Sequence, residues 1–218
     1  MTGDGANDLL TLDGVGPKLA ERLGGLGIHR VTDLLFHLPL RYEDRTSVRR
    51  IGSLQPGQRV QVEGEVEHAA IVPARRRMLV VMLADGTGRI TLRFFHFTRW
   101  QAQQLKRGAR LRVFGDIRAG WKGLEMVHPQ YTRLREDRDA PLPDRLTPVY
   151  PGTEGLRQPT LVKLTDQALE RLREGRLAVE ELLPAKLLEN LRLPGLAEAI
   201  ETIHRPPPDA DTAALVER

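Results

Sequence analysis

Asp85-Gly86-Thr87-Gly88-Arg89-Ile90-Thr91-Leu92-Arg93-Phe94-Phe95-His96-Phe97-Thr98-Arg99-Trp100-Gln101 is the stretch on which the reading of this chain turns. Asp85 to Gly88 has the composition of a hairpin turn. From Arg89 the period becomes two, which predicts a strand to Phe95. Its even positions, Ile90, Leu92 and Phe94, form the apolar row. Its odd positions, Arg89, Thr91, Arg93 and Phe95, form the other face, so Phe94 points to a core and Phe95 sits with arginines. Thr98 and Gln101 have capping-box spacing. A helix should follow, run through Leu105 and stop at Gly108.

The same alternation extends outward. Val60, Val62 and Val66 alternate with Gln61, Glu63 and Glu65, a strand with one wet face. Gly64 interrupts it and predicts a bulge or bend. Met78 to Ala84, Arg110 to Gly115 and Gly123 to Val127 supply three more strands, with Ala119-Gly120-Trp121-Lys122 at a turn. Five short strands with one helix between the third and fourth is the order of an OB-fold barrel. The expected class is α+β: a five-stranded OB-fold barrel over 58–133, flanked by helices.

The flanks read as follows. Residues 1–8 are expected to be disordered, and 9–57 to be helical with a tight turn at Asp13-Gly14-Val15-Gly16-Pro17-Lys18. Gly14 and Gly16 allow the bend, Pro17 suits a first helical position, and Thr32 can cap the next helix. This resembles a helix-hairpin-helix element. It either binds a phosphate through backbone N–H groups assisted by Lys18, or simply makes a compact turn. Pro39 to Arg45 is expected to be a loop tied down by ion pairs. Residues 134–159 read as a linker and 160–204 as a helical brace, with Leu161, Leu164, Ala168 and Leu172 on one side of its first helix. Short helices are expected at Val179–Leu183 and Ala185–Leu191, and a last one through Ile203. Residues 205–218 read as a Pro-rich linker.

Composition narrows the function. The chain has 218 residues, no Cys and no apolar run of membrane length, which excludes thiolate chemistry and a membrane span. Residues 1–8 lack the features of a secretory signal. No P-loop or HExxH motif is present, the six His lack metal spacing, and no nucleophile–base pair is legible, so binding rather than catalysis is expected, with no metal and no cofactor on this chain. The net charge is +4, yet Gly86 to Glu136 holds eleven Lys or Arg and three acids. A basic segment in an otherwise acidic chain suggests a polyanion partner. The acidic trio Glu63, Glu65 and Glu67 reads as a solvated face or a partner for basic loops.

Rings interleaved with cations suit unpaired bases. Three of the five Phe and one of the two Trp lie between Arg93 and Trp100. Phe95 is the first candidate for stacking; Phe97 and Trp100 compete for a second place. Arg89, Arg93, Arg99, Lys106, Arg110 and Lys122 are candidate phosphate contacts, with Gly14, Gly16 and Lys18 at the helical turn.

Several stretches together resemble the N-terminal wedge region of the RecG family of bacterial branched-DNA helicases. They are Leu38-Pro39-Leu40-Arg41-Tyr42-Glu43-Asp44-Arg45, Arg93-Phe94-Phe95-His96-Phe97, His128-Pro129-Gln130-Tyr131, Thr147-Pro148-Val149-Tyr150-Pro151-Gly152-Thr153-Glu154-Gly155-Leu156, Thr165-Asp166-Gln167-Ala168-Leu169 and His204-Arg205-Pro206-Pro207-Pro208. The resemblance implies a monomeric wedge that stacks aromatics on bases at a replication fork or Holliday junction. It implies a cytoplasmic bacterial protein at nucleoid forks, acting in repair and recombination, with ATP and Mg needed only by motor domains beyond Arg218. Arg99 stands where some relatives carry Tyr, which leaves the second stacking position open. The tail of single-strand-binding protein is a further expected partner. Generic single-strand binding and protein docking are the competing readings.

Overall fold

The computed structural model describes residues 5–73, 77–134, 141–211 and 215. The expectations for residues 1–4, for 74–76 of the basic loop, for 135–140 of the linker and for 212–214 and 216–218 of the Pro-rich tail lie outside these. In chain order come 3-10 turns at Gly5–Asn7 and Leu9–Thr11, α1 (Pro17–Gly24), α2 (Val31–Phe36), β1 (Arg41–Glu43) and a 3-10 turn at Ile51–Ser53. Then follow β2 (Arg59–Val72), β3 (Met78–Ala84), β4 (Arg89–Phe94), α3 (Arg99–Gln104), β5 (Arg110–Asp116), β6 (Arg118–Gly120), β7 (Gly123–Val127) and β8 (Gln130–Arg133). The last are β9 (Thr147–Val149), α4 (Gln158–Arg173), α5 (Ala185–Leu191) and α6 (Leu196–His204). They divide into two compact units, Asp44–Pro143 and, together, Met1–Glu43 with Asp144–Arg218.

The central unit is built on one seven-stranded sheet, ordered β6-β7-β4-β3-β2-β5-β8. Its ladders are antiparallel except β4 with β7, which is parallel. Removing the short β6 and β8 leaves the five expected strands in OB-fold order, with the parallel pair joining third strand to fifth. No ladder among the described residues joins β5 to β7, so the barrel stays open along that seam. The two strands still approach: a Cβ on Gly115 would lie 3.4 Å from the Met126 sulfur. Val62, Val66, Leu83, Leu92, Leu111 and Met126 fill the interior, and Ile90 and Phe94 are buried as alternation predicts.

Gly64 is not the bulge. The register shifts between Val66 and His68, so the extra residue is Glu67. Gly64 is needed for another reason: a Cβ there would meet the Ala84 carbonyl oxygen at 2.5 Å, so any side chain pushes β2 off β3. The helix after β4 begins as expected, with the Thr98 hydroxyl accepting from the Gln101 N–H at 3.1 Å. It ends at Gln104, and Leu105 is buried against the sheet.

The other unit gathers both ends of the chain. Leu12, Leu23, Leu34, Leu35, Leu161, Leu164, Ala168 and Leu169 share one core. The helical brace and the N-terminal helices are therefore a single folded body. Several expectations change here. Gly5–Asn7 is ordered as a 3-10 turn, because it is held at two points: the Ala6 carbonyl accepts from Arg171 at 2.6 Å and the Asn7 side chain accepts from Thr32 N–H at 2.9 Å. Thr32 is not a cap. Asp33 reaches back to the N–H groups of His29 and Arg30, at 2.8 and 2.9 Å. Arg41–Glu43 is a strand rather than a loop, paired antiparallel with Thr147–Val149 of the supposed linker. Tyr150 and Leu156 of that segment are buried in the core. Residues 179–183 form no helix, because Glu181 accepts from the N–H groups of Leu183 and Leu196 and fixes a turn instead. The start of the expected tail is anchored: Arg205 pairs with Asp166 at 2.7 Å, and Pro206 accepts from Leu146 N–H.

His204 lies in this core at 1% exposure. Its Nε2 is 2.9 Å from the Leu35 carbonyl, and its Nδ1 is 2.9 Å from the Tyr150 hydroxyl. Nε2–H therefore donates to the carbonyl and Nδ1 accepts from tyrosine, a neutral ring. Burial, opposed by the Leu35 contact, lowers the His204 pKa from its ordinary 6.5. Below the ordinary value the unfolded chain takes up a proton that the folded ring resists. The contribution of His204 is thus complete above pH 6.5 and is lost as pH falls through the depressed folded value. We predict a lower melting temperature at pH 5.5 than at pH 7.5, with a smaller drop in His204→Asn. Equal drops in both proteins would refute the assignment.

Candidate nucleic-acid interface

The exposed rings sit where β4 ends and turns into α3. Phe94 closes the core, and Phe95, one residue on, is 41% exposed. Its position is not left to a free loop. His128 adopts a positive φ of 48°, rare for a residue with a side chain, and its N–H donates to the Arg93 carbonyl at 2.8 Å. In return the Phe95 N–H donates to His128 Nε2 at 3.2 Å. The two rings are 5.6 Å apart, and the His96 ring stacks 5.9 Å from that of His128. His128 therefore braces the backbone and ring of Phe95 together.

The two competitors for the second place are separated by burial. Phe97 is half-buried against the sheet core, with the Arg77 guanidinium 6.0 Å from its ring centre. Trp100 is 67% exposed on the first turn of α3. Arg99, beside it, is exposed and has no ion-pair partner among the described residues. Arg93 is less free: its Nε lies 2.9 Å from a Glu125 carboxylate oxygen, although not aligned for a hydrogen bond.

The remaining cations do not gather at this corner. Arg89, Ala84, Glu65 and Arg110 share one register row across the sheet. That row is six residues from Phe95 along β4, roughly 20 Å at strand rise. Arg89 binds Glu67 at 2.6 Å and, through that hydrogen bond, holds the Glu67 carboxyl below its ordinary range. Arg110 faces an open groove of about 480 Å³ whose walls include Glu63, Glu65, Glu67 and Asp85. Two of the acidic trio thus serve the sheet's own arginines, Glu67 through Arg89 and Glu63 bound to Arg112 at 2.7 Å. Lys106 lines a shallow groove with His68, Ile71 and Ala102. Lys122 sits at the β6–β7 turn, exposed, beside Trp121.

In the helical unit Gly14 takes a φ of +90° and Gly16 caps α1, with Pro17 in the first turn. The turn is clamped by Gln167, which accepts from Asp13 N–H at 2.8 Å and donates to its carbonyl at 3.3 Å. Lys18 is exposed. A Cβ on Gly14 would come 3.7 Å from Nζ of Lys163, a second cation at this turn. Sequence reading missed Lys163, because α4 is remote in the chain. It also passed over His128, although the His128-Pro129 pair was visible, and Trp121, the most exposed large apolar side chain among the described residues. Among the described residues no group of three or more His, Asp or Glu is placed to hold a metal, and no helix is long and apolar enough to cross a membrane.

A family model, the RecG wedge domain, matches residues 9–172. The chain belongs to the RecG wedge-domain family. Its RecG relatives include the ATP-dependent DNA helicase RecG of Escherichia coli K12, 47% identical over 95% of this chain. The corresponding helicase of Pasteurella multocida is 44% identical, also over 95% of the chain. In both cases the chain spans 29% of the relative's length. A solved structure of RecG bound to a three-way DNA junction matches the whole chain, with a TM-score of 0.71 and 26% identity, and again 29% of that RecG chain is covered.

Proposed function

We propose that this chain recognises branched DNA and acts as the strand-separating wedge of a RecG-type helicase. The observation that carries the reading is the corner at Phe95, an exposed ring whose backbone and face are held by His128. A wedge must keep its stacking ring in place while a duplex is forced against it, and a preorganised ring meets that demand. Trp100 is the better second ring, since Phe97 is committed to packing. Arg99 is the cation best placed to meet phosphate there, with Arg93 shared with Glu125. A RecG relative of the same fold is bound to a three-way junction, which supports the choice of branched over single-stranded DNA.

ATP and Mg would serve motor domains outside this stretch, in keeping with the ATP-dependent helicases to which the chain is similar. The acidic tail of single-strand-binding protein would meet the same cations and compete with DNA. Phosphate contacts at Gly14, Gly16, Lys18 and Lys163 would extend the grip to one arm. The reading places a monomer at replication forks.

The test is a fluorescence anisotropy titration of the chain with a three-way junction, a plain duplex and oligo(dT). The junction should bind about tenfold more tightly than either competitor, a difference of ~1.4 kcal/mol. Affinity should fall steeply with salt, as phosphate neutralisation requires. Equal affinity for oligo(dT) and junction would reduce the chain to a general single-strand binder.

A further inference from the structure

We infer a second base-stacking contact at Trp121, at the opposite end of the sheet from Phe95, that takes an unpaired strand of the bound DNA. Trp121 and Lys122 are the two residues that join β6 to β7, between the paired Gly120 and Gly123. Trp121 is 93% exposed. A tryptophan offers 150–250 Å² of surface, and placing it outside forfeits that burial, so the side chain contributes little to the fold. The tip that carries it is nevertheless defined. Gly123 holds a φ of +113°, and a side chain at Gly120 would have to displace the Glu125 carboxylate. Two-residue hairpin turns of this kind are short and stiff.

Charge points to the occupant. Arg118 and Lys122 lie on the same hairpin as Trp121, both exposed, and neither has an ion-pair partner among the described residues. Glu125, level with Arg118 in the ladder, is already engaged by Arg93. One open ring with two uncompensated cations suits a base and its phosphates, whereas an acidic peptide would leave the ring unused. The geometry sets it apart from the first site. Strand β7 runs parallel to β4 with Thr91 level with Glu125, so the hairpin tip lies beyond the Arg89 end of β4 and Phe95 beyond the other. The two rings are therefore separated by at least the length of β4, roughly 20 Å. A strand peeled away at Phe95 would be met again some nucleotides further on.

The inference rests on the DNA-binding reading, and its test separates the two. The chain has two Trp, so Trp100→Phe leaves Trp121 as the sole indole reporter. Oligo(dT) and a three-way junction with one single-stranded arm are titrated into this variant, following emission and anisotropy together. A saturable quench that tracks the anisotropy change is the expected result. Bound DNA with unchanged emission would overturn the Trp121 contact and leave the DNA reading standing. No anisotropy change with any DNA would overturn both. In the wild-type background, Trp121→Ala should weaken the junction with the single-stranded arm about five- to thirtyfold, from ~1–2 kcal/mol of stacking, and spare the fully duplex junction. An equal loss on both junctions would also refute it.

Discussion

Phe95→Ala should lower affinity for a three-way junction about tenfold or more and change duplex binding little. A base stacked on an aromatic ring contributes ~1–3 kcal/mol, and a plain duplex offers no unpaired base to lose. The substitution removes an exposed ring, so the fold should persist: Phe94, not Phe95, fills the core. The cycle with His128 sharpens the measurement. His128→Phe keeps a ring against Phe95 but removes the acceptor at 3.2 Å from its N–H. If His128 acts by holding Phe95, that variant weakens junction binding in the wild-type background and adds little once Phe95 is gone. Additive losses would make His128 a separate contact. Equal losses on duplex and junction for Phe95→Ala would remove stacking from the account altogether.

Arg171→Met should cost the helical unit about 2–3 kcal/mol, enough to shift its melting by several degrees, and leave the sheet unit folded. Arg171 is 9% exposed on the inner side of α4. Its guanidinium donates to the Ala6 carbonyl at 2.6 Å, the Thr11 hydroxyl at 2.7 Å and the Thr11 carbonyl at 2.7 Å. These bonds staple the N-terminal turns to a helix some 160 residues later in the chain. Methionine matches much of the length but no donor, so two carbonyls and a hydroxyl lose their charged partner. The check is a thermal melt followed by amide exchange. Protection should fall first in α1, α2 and α4. A melt within a degree of wild type would show that the staple is dispensable.

The difference between what was legible and what was not follows from range. Strand β4 was readable to within one residue, ending at Phe94 where the alternation ran on to Phe95, because alternation is local. The Thr98 cap was readable because its partner is three residues away. The assignment of cations was not. Arg89 and Arg93 look alike in the sequence, but register brings Glu67 to one and Glu125 to the other, and register belongs to the sheet. Strands β6 and β8 are three and four residues long, too short for a period to declare itself. Strand β9 contains Pro148, which argues against a central strand but is tolerated in a two-stranded ribbon. Thr32 lost the capping role because the helix starts at Val31, one residue earlier, and Asp33 in its first turn reaches the N–H groups ahead of it. At the candidate site the ring residues were visible by composition. The choice between Phe97 and Trp100 needed burial, which adjacent aromatics do not reveal.

Strand β1 lies on β9 with Glu43 opposite Thr147. The chain thus leaves the helical body and returns to it on neighbouring strands, about 5 Å apart. Everything between, the whole OB sheet, is an insertion with a single doorway. A body with such a doorway can gain, lose or exchange its insert at small topological expense, since a hairpin loop would close the gap. The sheet unit and the helical body are thus separate stretches of one chain, with the crossings placed just after β1 and just before β9, strands of three residues each.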